Sequence, residues 1–438
     1  VNDLNPTHDP ARRSWVASAN DGRTDFPIQN LPFCVFRHGE RSGCGVGLGD
    51  RIVDLTALQA AGLIDGAAAP AVVQPTLNAL MALPPVEVSR LRATLSDLLR
   101  PGGPQAARAQ AVAERILVPM DAARLLLPGD IAGYTDFLTS RHHTERHGRF
   151  KGLKDPLPPA FLSLPVAYHG RTSSIRVSGT DVTRPNGQYK DAEGQVRFGP
   201  VVAMDFELEL AAFVGVGNAL GAPIPIREAA RHLFGFCLLN DWSAKDIQWW
   251  EQVLGPFLGK NFMSSISPWV VSAEALAPFR APAAPRAAGD PPLLAHLHDA
   301  QDQASGALDL QLEAWLQTRA MRERGEGAVR LARSNPRHLY WTFAQMLTHH
   351  ASNGCNLSAG DLLGSGTVSG EEPQSRACMT EMTEAGKVPI TLPGGETRRW
   401  LEDGDEVVLR ARAEREGFVG IGFGECRGRL LPAPAWPV

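Results

Sequence analysis

The stretch Met204–Ala212, MDFELELAA, carries carboxylates at alternate positions. In an extended strand alternate side chains share a face, so Asp205, Glu207 and Glu209 line one side and Phe206, Leu208 and Leu210 the other. By itself the segment reads most simply as an amphipathic strand with a solvated acidic face. Like charges along one face repel, however, and a bound cation removes that cost. Two further acids are candidate partners. Asp136 sits in GDIAGYTDF, and Asp241 ends the apolar run that includes Phe236–Leu239, where a carboxylate is expensive unless paired or metal-bound. Asp136, Glu207, Glu209 and Asp241 would form an all-oxygen site, which suits Mg²⁺ or Ca²⁺ rather than zinc. Spacing alone does not bring the four together.

A base is also at hand. His142 and His143 follow Asp136 closely, and a histidine beside a metal-binding carboxylate can take a proton from water at neutral pH. Its orienting acid is open: Glu381, in CMTEMTEAG, is one of many that would serve. His349-His350 reads as a structural pair. Lys260, in the apolar, glycine-rich run LGPFLGKNF, either reaches solvent from a loop or acts as an electrophile beside the cation. The glycine-rich runs GSGTVSG and GIGFGECRG lack the G-K-[ST] of a phosphate loop, and no G-x-S-x-G elbow is present.

The elements that must position these groups belong to an ordinary globular chain. It has 438 residues, 44% hydrophobic and 21% charged. With Lys+Arg 43 against Asp+Glu 47 and a net charge of −4, it lacks the basic footprint of a nucleic-acid binder. No apolar run approaches the ~18 residues of a membrane span, and VNDLNPTHDPARRSW has no apolar signal core. The six cysteines form no C-x-x-C pair; they read as small buried hydrophobes in a reducing, cytoplasmic compartment.

Residues 1–25 read as a polar arm outside the core. Period-two runs broken by glycine from Phe26 to Val53 predict short antiparallel strands. Helical spacing follows to about Arg124, with Leu91, Leu95, Leu98 and Leu99 on one face. Turn chemistry at Leu127–Asp130 places a domain boundary near 128, giving 26–128 and 129–438. The second domain reads as β-rich, with strands in 201–216, 267–276, 308–316 and 405–414. Helices are expected over 226–234 and 337–352, and a surface excursion over 276–293.

Long segments then point the same way. FPIQNLPF, QPTLNALM, GDIAGYTDFLTSRHH, LPVAYHGR, DFELELAAFVG, LLNDWSAKDIQ, LGPFLGK, THHASNGCNLSAGDLLGSGTVSG and GIGFGEC together resemble the fumarylacetoacetase family over about Phe26–Ala433. The resemblance implies a mainly β fold with some α: a small N-terminal SH3-like barrel plus a C-terminal mixed β-roll, assembled as a homodimer. It implies hydrolysis of 4-fumarylacetoacetate to fumarate and acetoacetate. The family's metal carboxylates fall on Asp136, Glu207, Glu209 and Asp241, its water-activating histidine on His143 and that histidine's acid on Glu381. Substrate or oxyanion contacts fall on Tyr168, Gln248, Lys260 and Thr367. Lys260 also belongs to the metal neighbourhood, where Ser264 replaces a threonine. The chain departs from the pattern at Leu138, where a substrate-contacting tyrosine is expected, and at Lys245, where an arginine near the oxyanion is expected. The segment 147–151 is one residue short, so that Arg149 or Lys151 takes the place of a carboxylate-binding arginine. These departures keep open an acylpyruvate or other diketo-acid hydrolase on the same scaffold. A purely structural cation-binding protein would have no use for His143 and Glu381. A glycosidase is disfavoured because Glu207 and Glu209 would be adjacent on one face instead of flanking a bond.

Overall fold

A computed structural model of the chain describes residues 3–437. Strands Phe33–His38, Arg41–Leu48 and Arg51–Asp54 form an antiparallel meander. Gly39 (φ +57°) and Gly49 (φ +59°) take up the left-handed backbone of its turns. Leu117–Pro119 pairs outside Arg51–Asp54 and Arg124–Leu126 outside Phe33–His38, completing a five-stranded sheet. The intervening chain is helical. The helix Pro85–Leu99 starts with proline in its first turn, where no backbone donor is lost, and buries Leu91, Leu95, Leu98 and Leu99.

The N-terminal residues differ from the expected arm. Ser14 donates to the carbonyl of Leu99 and the Trp15 indole to that of Leu98, both at 2.9 Å. Val16 and Ala19 are buried with Leu95 and Leu99 in one hydrophobic cluster. The sparse apolar residues of this polar segment are enough to anchor it.

The C-terminal part is organised on an eight-stranded sheet. Its centre runs Tyr134–Leu138, Leu362–Gly364, Leu208–Val214, Leu233–Asp241, Ser264–Ile266. The first pair is parallel and the next three are antiparallel. Strands 208–214 and 233–241 are buried at every position, so the expected solvated face does not exist. Leu210, Ala212, Phe236 and Leu238 belong to the core of the C-terminal part. Ala211, Phe213, Cys237 and Leu239 belong to a cluster shared with Val16, Phe33 and Val46. A sheet covered on both faces needs near-continuous apolar runs instead of alternation. The N-terminal unit is thus the cover of the central sheet's reverse face. It is fastened there by a backbone bridge between Phe33 and Val270 and by the Asn30 amide donating to the carbonyl of Gly422 (2.8 Å).

A second, five-stranded sheet contains Gln311–Gln317, Val329–Ser334, Glu406–Ala413 and Ile421–Leu431. Elsewhere four expectations shift. The helix at 226 ends at Ala229, followed by a 3-10 turn to His232, because Leu233 starts a strand. The helix expected from 337 begins at Phe343, behind the Thr342–Gln345 capping box. Within 267–276 only Val271–Ser272 is strand. The surface excursion begins after Ala281, since Leu276 to Phe279 are buried and Arg280–Ala281 pairs with Ala307–Leu308.

Candidate active site and metal centre

Three strands of the central sheet deliver the acids. Asp136 lies on Tyr134–Leu138, Glu209 at the start of Leu208–Val214 with Glu207 just before it, and Asp241 closes Leu233–Asp241. One carboxylate oxygen from each of Asp136, Glu207, Glu209 and Asp241 falls within 4.8 Å of the others, and all four side chains are buried. Strand Leu362–Gly364 runs between the first and second contributors, with Gly364 opposite Asp136. A Cβ at Gly364 would lie 2.5 Å from Asp136 Oδ1, so only glycine leaves the cluster open.

Asp205 is not part of this set. The strand pairing of Met204–Asp205 is separate from that of Leu208–Val214. The Asp205 carboxylate accepts from the backbone amides of Met379 and Thr380 (2.6 and 2.9 Å) and the Thr380 hydroxyl (2.6 Å). It therefore fixes the first turn of helix Met379–Met382.

Cations and hydroxyls complete the cluster. Lys260 Nζ bridges Glu207 (2.5 Å) and Asp241 (2.6 Å). Lys245 Nζ pairs with the other Glu207 oxygen. The Tyr168 hydroxyl donates to Asp241 (2.6 Å) and lies 3.1 Å from Asp136; Ser264 donates to Asp241 at 3.0 Å. Burial alone would raise Glu207, but Lys245 and Lys260 hold it well below the usual carboxylate range. Burial, and then the neighbouring acids, push Asp136 and Glu209 well above it. Both oxygens of Glu209 are buried with no hydrogen-bond partner among the described residues. Unpaired buried carboxylate oxygens, an all-oxygen donor set and a space kept open by Gly364 fit a hard divalent cation.

The second constellation adjoins it. Helix Arg141–Phe150 is capped by Ser140, whose hydroxyl oxygen accepts from the His143 amide (3.1 Å) while its proton goes to the Ser369 carbonyl (2.7 Å). That cap fixes His143 in the first turn, where its Nδ1 lies 2.9 Å from Glu381 Oε2. Glu381 is fully buried yet completely satisfied. Ser369 donates to Oε2 at 2.6 Å, Cys378 Sγ lies 3.3 Å from the same oxygen, and Arg146 pairs with Oε1 at 2.9 Å. Burial opposes its charge, but His143, and then His147 and Ser369, outweigh it and hold the carboxyl far below its ordinary value. An ionised Glu381 makes Nδ1–H of His143 the donor and leaves Nε2 as the acceptor. His142, the alternative base, has no such partner: burial, and then Arg146, lower its pKa.

Both constellations open on one cavity of about 630 Å³. Asp136, Leu138, His143, Lys151, Tyr168, Glu207, Lys245, Gln248, Lys260 and Thr367 line it. Gln248 Oε1 and Thr367 Oγ1 are buried without hydrogen-bond partners among the described residues. Lys151, itself exposed, lines the cavity together with Lys245; desolvation and then Lys245 lower its pKa. Asp241 and Ser264 line a smaller neighbouring cavity of about 210 Å³ that shares Tyr168 and Lys260. Arg149 is excluded: it is exposed, paired with Glu145 at 3.2 Å, and does not line the cavity. On helix Arg141–Phe150 it is on the solvent side.

Four residues escape a reading of the sequence: Arg146, Ser369 and Cys378 around Glu381, and His147. The last stacks on His143 with ring centroids 4.1 Å apart. Its only local signal is the four-residue spacing from His143 on a helix.

Two family models cover almost the whole chain: "Fumarylacetoacetase N-terminal" over residues 29–128 and "Fumarylacetoacetate (FAA) hydrolase C-terminal" over 133–431. The fumarylacetoacetase of Oryza sativa subsp. japonica is 44% identical over 433 residues, covering 96% of this chain and 97% of the relative. That of Bos taurus is 44% identical over 428 residues (96% and 99%), and that of Homo sapiens 43% over 429 residues (96% and 99%). Among solved structures, a fumarylacetoacetate hydrolase from psychrophilic Exiguobacterium antarcticum shares the fold, with TM-score 0.50 and 17% identity over 92% of this chain and 100% of that one. With both models matched in sequence order and such identity at full length, the chain belongs to the fumarylacetoacetate hydrolase family.

Proposed function

We propose that the chain is a hydrolase acting on a carbon–carbon bond, cleaving 4-fumarylacetoacetate to fumarate and acetoacetate in the last step of tyrosine and phenylalanine breakdown. The observation that carries this reading is a single cavity lined by His143, by members of the acidic cluster and by Lys151, Lys245 and Lys260, in a chain whose full-length relatives are fumarylacetoacetases.

The chemistry is a retro-Claisen cleavage, and the residues divide its work. His143 Nε2 takes a proton from water as the oxygen adds to the ketone carbon. Glu381 holds the ring and stabilises the imidazolium. Lys260 and the Gln248 amide, with Lys245, donate to the tetrahedral oxyanion. The carbon–carbon bond then breaks with its electron pair moving onto the acetoacetate carbon, and the proton on His143 returns to that carbon. Bound on Asp136, Glu207, Glu209 and Asp241, a divalent cation supplies Lewis-acid stabilisation of negative charge on the diketone oxygens; we assign Mg²⁺ or Ca²⁺. Ser264 and Lys260 support that cluster. Tyr168 and Thr367 position the substrate, Leu138 supplies an apolar wall, and Lys151 takes the carboxylate that Arg149 faces away from.

The same proposal extends to the assembly. Part of this reading is a division at about residue 128, with an SH3-like barrel over 26–128; what supports it is the five-stranded sheet in that segment. A homodimer accounts for the exposed apolar run Trp249, Trp250, Val253, Leu254, Phe257 and Leu258 beside the cavity mouth. A cytoplasmic setting accords with six free cysteines. Among the described residues no helix is long and apolar enough to cross a membrane.

The test follows the enol absorbance of fumarylacetoacetate with Mg²⁺-loaded, Ca²⁺-loaded and chelated protein, beside a panel of acylpyruvates. Rapid loss with either cation and little without is expected. Faster turnover of an acylpyruvate would replace the substrate, and Leu138 and Arg149 are where such a change would originate.

A further inference from the structure

The acidic cluster is not the only group of metal-ligating atoms at the cavity. His143, His147 and Cys378 each present one ligand atom, a ring nitrogen or the sulfur, and these lie within 4.8 Å of one another. Two elements make the group. His143 and His147 stand one turn apart on helix Arg141–Phe150, the spacing that places two imidazoles on one face for a shared ion. Cys378 is the N-cap of the helix Met379–Met382, which Asp205 anchors from the other side.

One further observation points to a ligand. His147 Nε2 is buried and has no hydrogen-bond partner among the described residues, a state that costs free energy unless something occupies it. The hydrolysis has no task for His147, and uses Cys378 only as a neighbour of Glu381.

We propose that His143, His147 and Cys378 form a second cation site, selective for thiophilic ions such as Zn²⁺, whose occupation silences the enzyme by capturing its base. The donor set separates the two sites. Two imidazoles and a thiolate suit a borderline-soft ion and repay Mg²⁺ or Ca²⁺ poorly, whereas the four carboxylates do the reverse. An ion bonded at about 2.0 Å to nitrogen and about 2.3 Å to sulfur spans donors roughly 3.5 Å apart, so the three groups draw in around it. Burial and then Glu381 hold the Cys378 thiol protonated in the absence of an ion, so the ion itself displaces that proton, which leaves to solvent as the sulfur–metal bond forms. No electron is transferred. With the ion in place His143 no longer accepts a proton from water; this consequence, unlike the site itself, rests on the hydrolase reading above.

Co²⁺ is the probe, added to Mg²⁺-saturated protein, because only a thiolate ligand gives a sulfur-to-cobalt charge-transfer band in the near ultraviolet. One equivalent of that band is expected in wild type and in Cys355→Ser, a control remote from the site. Cys378→Ser should abolish it, and His147→Ala and His147→Gln should weaken binding at least tenfold. Zn²⁺ should displace the cobalt and, in the fumarylacetoacetate assay, stop wild type at concentrations at least tenfold below those affecting Cys378→Ser, with reversal by chelator and fresh Mg²⁺. No band in wild type, or the same band in Cys378→Ser, overturns the site. A band that Zn²⁺ displaces without loss of turnover overturns the silencing. If Mg²⁺-loaded wild type turns over no fumarylacetoacetate, the substrate reading fails while the cobalt titration still decides the site.

Discussion

Glu209 and Glu381 are both completely buried, and the protein treats them in opposite ways. Glu381 receives donors on both oxygens from His143, Ser369, Cys378 and Arg146, and is held ionised. Glu209 has no donor among the described residues, and burial and Asp136 push its carboxyl up. Burial therefore does not itself decide a carboxylate's state; the partners built around it do. Glu381 is a finished anion that serves a neighbour. Glu209 is an unfinished one that calls for a cation.

The sharpest way to separate the two regions is His143→Ala. It should lower kcat by about 10³-fold, within the usual range for a lost general base, while calorimetry still detects Mg²⁺ or Ca²⁺ binding at near wild-type affinity. Loss of cation binding in that variant would merge the two regions into one unit. Chelation is the complementary cut: activity should fall to background with His143–Glu381 intact. Tm should drop by several degrees relative to protein held at a hundredfold excess of cation over Kd, where binding supplies about 2.7 kcal/mol.

Paired substitutions in the chelated protein test the comparison directly. Glu381→Gln should destabilise by about 3 kcal/mol, since Arg146 is left beside a neutral amide; Glu209→Gln should stabilise by removing one of the crowded charges. The pH dependence has a definite sign. Glu381, held low, adds stability that is present above its ordinary value of 4.5 and vanishes as pH falls through the folded value. Glu209, pushed up, costs stability that grows as pH rises above 4.5. Thermal melts from pH 4 to 8 should show the two variants diverging towards neutrality, and parallel curves would refute the contrast.

The smallest effect lies away from the site. Asp302 is raised from 3.8 to about 6 by burial, so the folded state loses stability as pH climbs through that interval. Asp302→Asn keeps the acceptor for the Thr342 hydroxyl and should raise Tm by a few degrees above pH 6 and by none at pH 4.

Much of this organisation is legible in the sequence. Alternation at Phe33–Asp54, the leucine spacing at 91–99 and the acids at 207 and 209 each carry a local period. What is not legible depends on distance along the chain. Glu381 lies 238 residues from His143, and nothing near it distinguishes it from other acids. Asp205 matches the alternation of its neighbours and still belongs elsewhere, because the ladder breaks between it and Leu208. The complete burial of 208–214 is invisible for a similar reason: one cover of the sheet comes from the far N-terminus.

That cover has a consequence during synthesis. Val16, Phe33 and Val46 leave the ribosome long before Phe213, Cys237, Leu239 and Val270, the residues that complete their cluster. For the time needed to translate about two hundred residues, ten seconds or more at 5–20 residues per second, the early segment packs on its own helices but lacks the part of its cluster that the central sheet supplies. The chain therefore passes through a stage in which its first-made part is its most adhesive, and that stage sets its demand on chaperones.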